Sequence, residues 1–181
     1  MEPLSTARKM DIPITGELEL ASRLIDTPMI AVTGTNGKSS VTAFLGSLLE
    51  NASLKVFVGG NIGTPLIAYV AEGNKADYVV VEVSSFQLDT IETFCPFISM
   101  VLNVSPDHLD RYPSYEDYVQ SKLRVFMNQG AGQHVILNDD DERLSLVRPS
   151  SGVSVFRFGT EKKEGHHTFI EDGMIRTCIP G

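Results

Sequence analysis

The segment from residue 34 to residue 40, with the sequence GTNGKSS, has the residue types of a phosphate-binding loop. Its glycines allow backbone N–H groups to surround a phosphate, and the start of the following helix adds positive potential. We expect Lys38 to contact the β- and γ-phosphates of a nucleotide and the Ser39 hydroxyl to contact Mg²⁺. The usual consensus GxxxxGK[ST] has glycine where this chain has Val32. A tight strand-to-helix turn with an exposed lysine is the alternative interpretation. The predicted nucleotide-binding residues are Gly34, Thr35, Asn36, Gly37, Lys38, Ser39 and Ser40.

Polar side chains also stand near the ends of other predicted strands. Glu82 interrupts the apolar run Tyr78–Val83, and a buried carboxylate there needs a cation or a dense set of hydrogen bonds. Mg²⁺ beside the phosphates would satisfy it, and a structural ion pair is the alternative. His108 is a candidate metal ligand or phosphate contact, although a single loop histidine is more often structural. Asn61 lies in the stretch GGNIG, which in isolation favours a plain loop. Ligands of open parallel sheets bind beyond the carboxyl ends of the strands, so we expect one shared rim to carry Lys38, Asn61, Glu82 and His108.

Lys122 occupies an unusual place on a predicted helix. Residues 115, 119, 122 and 126 share one helical face, and most of the others on it are apolar. This spacing turns Lys122 toward the interior, where an ammonium must be paired, neutralised or modified. The alternative is that its long side chain reaches back to the surface.

The elements that must position these residues follow from apolar runs of strand length that alternate with helical patterns. The predicted strands are Met29–Thr33, Lys55–Val58, Tyr78–Val83, Phe97–Val104, Gln133–Asn138 and Val153–Phe158, and a hairpin is predicted over His167–Ile179 around Asp172 and Gly173. The predicted helices are one through Leu18–Ile25 capped by Thr15, Ser39–Asn51, one that begins at Thr64 and Pro65, one around Phe86–Ile91, Ser114–Met127 with a capping box of Ser114 and Asp117, and one near Glu142–Val147. The fold class is therefore α/β, with a mostly parallel sheet, helices on both faces and a small antiparallel hairpin near the C-terminus.

The same patterns predict the domain organisation and the exposure of several side chains. Residues 1–28 are interpreted as a polar, loop-like segment with a short helix, and residues 29–181 as the domain that carries the sheet. Asp139–Glu142 is expected to be a solvated turn that caps the next helix, and His166 and His167 are expected to be exposed. The residues expected on the apolar stripe of helix Ser39–Asn51 are Val41, Phe44, Leu45, Leu48 and Leu49.

Composition excludes several function classes. The chain has 181 residues, with 15 Lys and Arg against 23 Asp and Glu, and this net charge of −8 disfavours non-specific nucleic-acid binding. No apolar run approaches the ~20 residues of a membrane span, and the first residues lack a signal-peptide core, so no membrane partner is expected. Cys95 and Cys178 fit no metal-binding pair, and a reducing cytoplasm is the expected compartment.

Taken together, these motifs resemble the Mur ligase family, the ATP-dependent amide ligases that build the peptidoglycan stem peptide. The segments that carry the resemblance are Gly34–Ser39, Glu82–Leu88 (EVSSFQL), Asp107–Tyr112 (DHLDRY) and Ser121–Arg124 (SKLR). The second segment is most similar to the family members that add D-glutamate. The family has its own form of phosphate loop, which explains the departure from the usual consensus.

The resemblance implies an ATP-binding central domain of a monomeric, bacterial, cytoplasmic enzyme of cell-wall synthesis. It implies that Lys38 and Ser39 bind the ATP phosphates and that Ser39 and Glu82 hold one Mg²⁺. His108 and a carbamylated Lys122 would hold a second Mg²⁺. ATP would phosphorylate the carboxylate of UDP-N-acetylmuramoyl-L-alanine, and the amine of D-glutamate would attack the acyl phosphate. The residues that would face the UDP-linked substrate are Asn61, Ser84 and Gln87.

Two further interpretations remain open at this point. Family members have three domains and the resemblance covers only the middle one, so we expect a piece of a longer protein, and by itself it could be a nucleotide-binding module without catalysis. A folylpolyglutamate synthase-like enzyme shares the ATP loop, but the stretch SSFQ does not suit it. A P-loop kinase or GTPase is disfavoured by the missing consensus glycine and by the lack of an NKxD motif.

Overall fold

The computed structural model describes residues 3–73 and 75–178, and within them eight strands form one sheet. The strands are β1 (Met29–Thr33), β2 (Val56–Gly60), β3 (Tyr78–Glu82), β4 (Ile98–Val101), β5 (His134–Asn138), β6 (Ser154–Phe158), β7 (Thr168–Glu171) and β8 (Met174–Thr177). Their spatial order is β2-β3-β1-β4-β5-β6-β7-β8, and neighbours are parallel except for the antiparallel pair β7 and β8. The predicted fold class is confirmed.

In the described part of the chain, two helices precede β1, and five more lie between consecutive strands from β1 to β6. They are α1 (Pro3–Lys9), α2 (Glu17–Ser22), α3 (Lys38–Asn51), α4 (Leu66–Ala71), α5 (Ser85–Leu88), α6 (Tyr115–Leu123) and α7 (Glu142–Ser145). Three expectations are corrected here. The opening segment contains α1, whose first residue is a proline, a residue that suits the first turn of a helix. Gly16, not Thr15, is the N-cap of α2. The helix predicted to reach Met127 ends at Leu123 and continues as a single 3₁₀ turn. None of the described helices is long and apolar enough to cross a membrane.

The two faces of the sheet bury different sets of side chains. Alternate residues of β1 point in opposite directions, so Ala31 joins the larger core under α2, α4, α5 and α6, whereas Val32 joins the smaller core under α3. The expected apolar stripe of α3 is partly wrong, because Phe44 and Leu48 are exposed. The helix packs inward along two adjacent rows, Val41, Leu45 and Leu49 on one and the buried Thr42 and Gly46 on the other. Positions 44 and 48 lie on the side of the first row that faces away from the second, and are therefore outside the contact.

Helix α2 is held against the domain by a buried carboxylate. Glu19 is 0% exposed, and it accepts hydrogen bonds from the N–H groups of Glu92, Thr93 and Phe94, each at 3.0 Å. The Thr93 hydroxyl at 2.6 Å and the Arg23 guanidinium at 2.7 Å also donate to it. Burial by itself would raise the pKa of Glu19, but the hydrogen bonds outweigh burial and lower the pKa to about 2. A polar segment is thereby fixed to the loop that precedes β4.

The C-terminal hairpin is present, with a two-residue turn. Asp172 and Gly173 have φ values of 53° and 70°, as the mirror-image turns of hairpins require. Strand β8 ends at Thr177, and the predicted end of the hairpin at Ile179 lies outside the described residues.

The predicted exposure of the two histidines before the hairpin is wrong. The His166 ring is buried, with Nε2 3.0 Å from an Asp139 carboxylate oxygen and Nδ1 2.9 Å from the Glu161 carbonyl. His167 is half-buried, and its Nδ1 accepts from the Arg157 N–H at 3.2 Å. Burial of His166 depends on Asp139, which lies 27 residues earlier in the sequence, so local polarity could not reveal it.

The acidic turn that precedes α7 also differs in part from its prediction. Asp139 pairs with Arg157 and His166 rather than with solvent. Asp141 does cap α7, since its carboxylate accepts from the N–H groups of Arg143 and Leu144. The cap follows from sequence spacing, whereas the ion pair depends on the neighbouring strand.

Candidate functional site

Four adjacent strands place the predicted site residues at one edge of the sheet. Lys38 follows β1, Asn61 follows β2, Glu82 is the last residue of β3, and His108 lies in the loop after β4. Because β2, β3, β1 and β4 are parallel neighbours, their carboxyl ends share this edge. The predicted common rim is therefore present. Which ligands these residues bind stays a prediction.

The loop after β1 is shaped by two glycines. Gly34 lies directly against the segment that follows β4, because a Cβ atom at this position would be 3.1 Å from the Leu102 Cβ. Gly37 has a φ of 82°, which favours glycine, and it is the N-cap of α3. Lys38 Nζ donates to the Thr35 carbonyl at 3.0 Å, so the ammonium forms a hydrogen bond within the phosphate loop itself. Ser39 is exposed in the first turn of the helix, where backbone N–H groups lack partners within the helix. The arrangement suits an anion.

Glu82 has a half-satisfied carboxylate. The side chain is buried, and its Oε1 accepts from the Asn61 amide at 2.8 Å. Its Oε2 is buried without a hydrogen-bond partner among the described residues. In the same part of the chain no basic side chain forms an ion pair with Glu82, so the structural ion-pair interpretation lacks a partner. A lone carboxylate oxygen at this edge fits a divalent cation, which prefers oxygen ligands.

The Lys122 side chain points into the domain, as its helical position predicts. The residue is 2% exposed, and Nζ donates to the Gly34 carbonyl at 2.8 Å. The ammonium also lies 4.6 Å from the centre of the Tyr118 ring. Desolvation and the nearby charge of Lys38 lower the pKa of Lys122 to about 8. The alternative in which this side chain reaches the surface is wrong.

His108 stands at the outer rim of the same region. Its φ of 52° is uncommon for residues other than glycine and recurs at functional sites. The side chain is half-exposed, with Nε2 3.6 Å from an Asp107 carboxylate oxygen. Its ring centre lies 4.9 Å from that of Phe86 and 6.1 Å from that of Tyr118. His108 and Lys122 thus contact the same tyrosine ring. Among the described residues no three His, Cys, Asp or Glu side chains form a metal cluster, so any Mg²⁺ here would need oxygens from ligands and water.

A family model of the Mur ligase middle domain matches residues 32–176. The chain belongs to the Mur ligase family. It is 52% identical over 139 residues to the UDP-N-acetylmuramoylalanine--D-glutamate ligase of Desulfatibacillum aliphaticivorans, and the aligned region covers 77% of this chain and 31% of the relative. It is 42% identical over 181 residues to the ligase of the same name from Pelotomaculum thermopropionicum, and here the aligned region covers 100% of this chain and 40% of the relative. The chain thus spans about two fifths or less of the length of these curated relatives.

The fold of this Mur ligase domain also agrees with solved structures. The MurF ligase from Thermotoga maritima, solved in complex with ADP, matches with a TM-score of 0.67 and 22% identity. The match covers 86% of this chain and 38% of the MurF chain. At this level of identity the similarity establishes the architecture of the Mur ligase domain.

Two residues with a predicted substrate role form a helix cap in this Mur ligase domain. The Ser84 hydroxyl accepts from the Gln87 N–H at 3.3 Å, and Gln87 Oε1 accepts from the Ser84 N–H at 3.0 Å. This reciprocal capping box begins α5, and its S-x-x-Q spacing is readable in the sequence. The capping box predicted for Ser114 and Asp117, at the start of α6, has a different pattern. There the Asp117 N–H donates to the Ser114 hydroxyl, and that hydroxyl, not the Ser114 N–H, donates to the Asp117 carboxylate. The substrate contacts of Ser84 and Gln87 stay a prediction.

Tyr118 contributes more to the site than the sequence pattern indicated. Its position on the apolar stripe predicts a core residue, and it is indeed buried. Its hydroxyl, however, lies 3.1 Å from the Thr35 hydroxyl of the phosphate loop, while its ring contacts the Lys122 ammonium. The Lys122 contact is an i, i+4 pair on α6 that helical spacing could have indicated, whereas Thr35 comes from a distant part of the chain and left no signal in the local sequence.

Proposed function

We propose that the chain is the ATP-binding middle domain of a ligase that joins D-glutamate to UDP-N-acetylmuramoyl-L-alanine. The observation that carries the proposal is the set of groups at one edge of the sheet: the phosphate loop, the half-satisfied Glu82 carboxylate and the buried Lys122 amine. The names of the sequence relatives support this pair of substrates. Because those relatives are longer, the complete reaction is proposed for the whole protein, with residues 29–181 as the nucleotide domain and residues 1–28 as its connection.

The phosphate loop would hold the ATP phosphates through backbone N–H groups at the start of α3. Lys38 would leave the Thr35 carbonyl and donate to the β- and γ-phosphates, which form stronger, charge-assisted hydrogen bonds. Ser39 and Ser40 are exposed on the first turn and can turn toward the same anion. Positioning of this kind is the main protein contribution to phosphoryl transfer.

Two Mg²⁺ ions are part of this proposal. Ser39 and Glu82 would hold the first, and the partnerless Glu82 oxygen is the ligand that supports it. His108 and a carbamylated Lys122 would hold the second. Bound Mg²⁺ would neutralise the charge that develops on the transferred phosphoryl group.

The lowered pKa favours modification of Lys122. With a pKa of about 8, part of the amine is neutral near physiological pH. The neutral amine attacks CO₂, a nitrogen–carbon bond forms and a proton is released, which converts a cation into a carbamate anion. Such an anion beside Lys38 replaces a repulsive charge pair with an attractive one.

Asn61, Ser84 and Gln87 would face the UDP-linked substrate at the same edge. In the whole protein its carboxylate attacks the γ-phosphorus of ATP, and ADP leaves. The amine of D-glutamate then attacks the acyl carbon and phosphate leaves. We propose that the whole protein acts as a monomer in the bacterial cytoplasm, and that the present chain alone forms no product, because proximity of the two reactants can contribute ~7–11 kcal/mol.

Titration of the chain with ADP and ATP in the presence of Mg²⁺ tests the nucleotide site. Lys38→Ala should weaken binding about 10- to 100-fold, since a charge-assisted contact is worth ~1.5–3 kcal/mol. Lys55→Ala, which removes an exposed lysine just before β2, is the matched control and should bind as the unaltered chain does. Equal affinity of Lys38→Ala and the unaltered chain would contradict the assignment.

The metal and carbamate roles need separate measurements. Glu82→Gln should remove most of the Mg²⁺ dependence of ADP affinity and leave Mg²⁺-free binding within about twofold.

Carbon-13 NMR in labelled bicarbonate should show a carbamate resonance that is present in Lys55→Ala and absent from Lys122→Ala. A resonance that survives in Lys122→Ala would assign the modification to another amine.

A further inference from the structure

Asn103 makes an unusual contact with the phosphate loop. It lies two residues beyond the end of β4, and its side-chain amide pairs with both backbone groups of Asn36. Oδ1 accepts from the Asn36 N–H at 2.9 Å, and Nδ2 donates to the Asn36 carbonyl at 3.0 Å. The Asn103 carbonyl also accepts from the Thr35 N–H at 2.9 Å. One residue thus holds three backbone groups of the loop, as a neighbouring strand would.

The segment that carries Asn103 is itself held firmly from the other side. The N–H of Val104 donates to Asp141 at 2.6 Å, and its carbonyl accepts from the Tyr115 hydroxyl at 2.8 Å. The Leu102 carbonyl accepts from the Asn138 side-chain amide, on β5, at 3.0 Å. The backbone after β4 is therefore a fixed support, and the loop is the part that is fixed to it.

The chemistry of the contact is specific to an asparagine amide. It offers one acceptor and one donor at the spacing of a peptide group, so it satisfies an N–H and a carbonyl at once. Aspartate has acceptors only and would bring a negative charge against the Asn36 carbonyl. Alanine would leave both backbone groups to water.

We propose that Asn103 is a positioning residue that holds the phosphate loop in its binding conformation before the nucleotide arrives. The inference rests on the proposed nucleotide site, because it concerns the same loop. Asn103 acts through the Asn36 peptide group. Preorganisation of this kind lowers the cost of ordering the loop on binding and so increases affinity.

Asn103→Asp tests the proposal against Asn128→Asp as matched control. Asn128 also donates its amide to two backbone carbonyls, those of Glu92 and Phe94, but these contacts lie near the start of β4, away from the loop. Three quantities are measured for each variant: ADP affinity with Mg²⁺, hydrogen exchange of the Thr35 and Asn36 amides, and the urea midpoint of unfolding.

Asn103→Asp should weaken ADP binding about tenfold and speed exchange of the two amides at least tenfold. Asn128→Asp should lower the urea midpoint about as much as Asn103→Asp does, but it should change neither ADP affinity nor the exchange of the Thr35 and Asn36 amides. If Asn103→Asp does not fold, Asn103→Ala, which adds no charge, is expected to give the same two changes. Unchanged amide exchange in a folded Asn103 variant would overturn the proposal, as would faster exchange with unchanged ADP affinity. If the unaltered chain binds no ADP, the nucleotide function fails, and amide exchange alone decides whether Asn103 holds the loop.

Discussion

Two helices of this domain each bury a charged side chain, and the two side chains are treated very differently. Glu19 on α2 accepts from three backbone N–H groups, a hydroxyl and a guanidinium. Lys122 on α6 is buried to a similar degree, yet its ammonium donates to one carbonyl and faces another cation, Lys38. The first environment stabilises the charged form, and the second destabilises it.

The difference separates an anchor from a site. Saturating a carboxylate with donors fixes α2 to the domain and leaves no capacity for a ligand. An amine with one partner and a lowered pKa can still react or bind. The Glu82 oxygen that has no hydrogen-bond partner among the described residues is likewise free to bind a ligand. Perturbed groups that are only partly satisfied are typical of functional sites.

Removal of the anchor should give the largest effect on stability. Glu19→Ala is expected to lower the free energy of unfolding by about 3 kcal/mol, because it leaves buried donors without an acceptor. Glu92→Ala removes only the exposed partner of Arg23 and should cost less than about 1 kcal/mol. Urea unfolding measures both, and ADP affinity should stay within twofold in each. A loss of ADP affinity in Glu19→Ala would erase the distinction between anchor and site.

Alkaline titration should expose the opposite behaviour of Lys122. Its folded-state pKa of about 8 lies below the ordinary value of 10.5, so the unfolded chain holds more protons between these pH values and stability rises with pH there. Relative to Lys122→Met, the free energy of unfolding should increase by about 2 kcal/mol from pH 7.5 to pH 10. CO₂-free buffer keeps the amine unmodified during the measurement. A constant difference between the two proteins would show that the ammonium carries no burial cost.

Acid should weaken the anchor by a smaller amount. The pKa of Glu19 is lowered from 4.5 to about 2, so its contribution is present above pH 4.5 and is lost as the pH falls toward 2. We expect a loss of about 1.5 kcal/mol, which allows for solvent screening at the half-exposed Arg23. Glu19→Gln should lack this component of the acid transition in urea unfolding at pH 5, 4 and 3. The same pH dependence in both proteins would place the acid sensitivity elsewhere.

The helix cap at Ser84 gives the smallest expected change. Ser84→Ala should cost about 1 kcal/mol of stability, the usual value for a lost N-cap, and Ser84→Asp should recover most of it. ADP affinity should not change, since the cap contacts α5 and not the phosphate loop. If Ser84→Ala leaves the urea midpoint unchanged, the cap contributes nothing to stability and a substrate role gains weight.

The sequence-based predictions were strongest where local pattern and backbone geometry suffice. The apolar runs identified every strand of the parallel part, and the Asp172–Gly173 pair located the hairpin turn. Strand ends were less accurate: β2 extends through Gly60, two residues beyond its predicted end. The predictions failed where exposure depends on distant partners, as for His166, whose ring nitrogen lies 3.0 Å from an Asp139 carboxylate oxygen.

By itself, the sequence determined the alternation of elements, the loop that suits a phosphate and the inward face of Lys122. These follow from periods of two and 3.6 residues and from the freedom of glycine, which are properties of the local chain. Only the tertiary structure decided that one Glu82 oxygen has no partner among residues 3–73 and 75–178, that Glu19 is saturated with donors and that Asn103 pairs with the loop. These features depend on contacts between groups that lie far apart in the sequence and come together only in the folded domain, so no local sequence pattern predicts them.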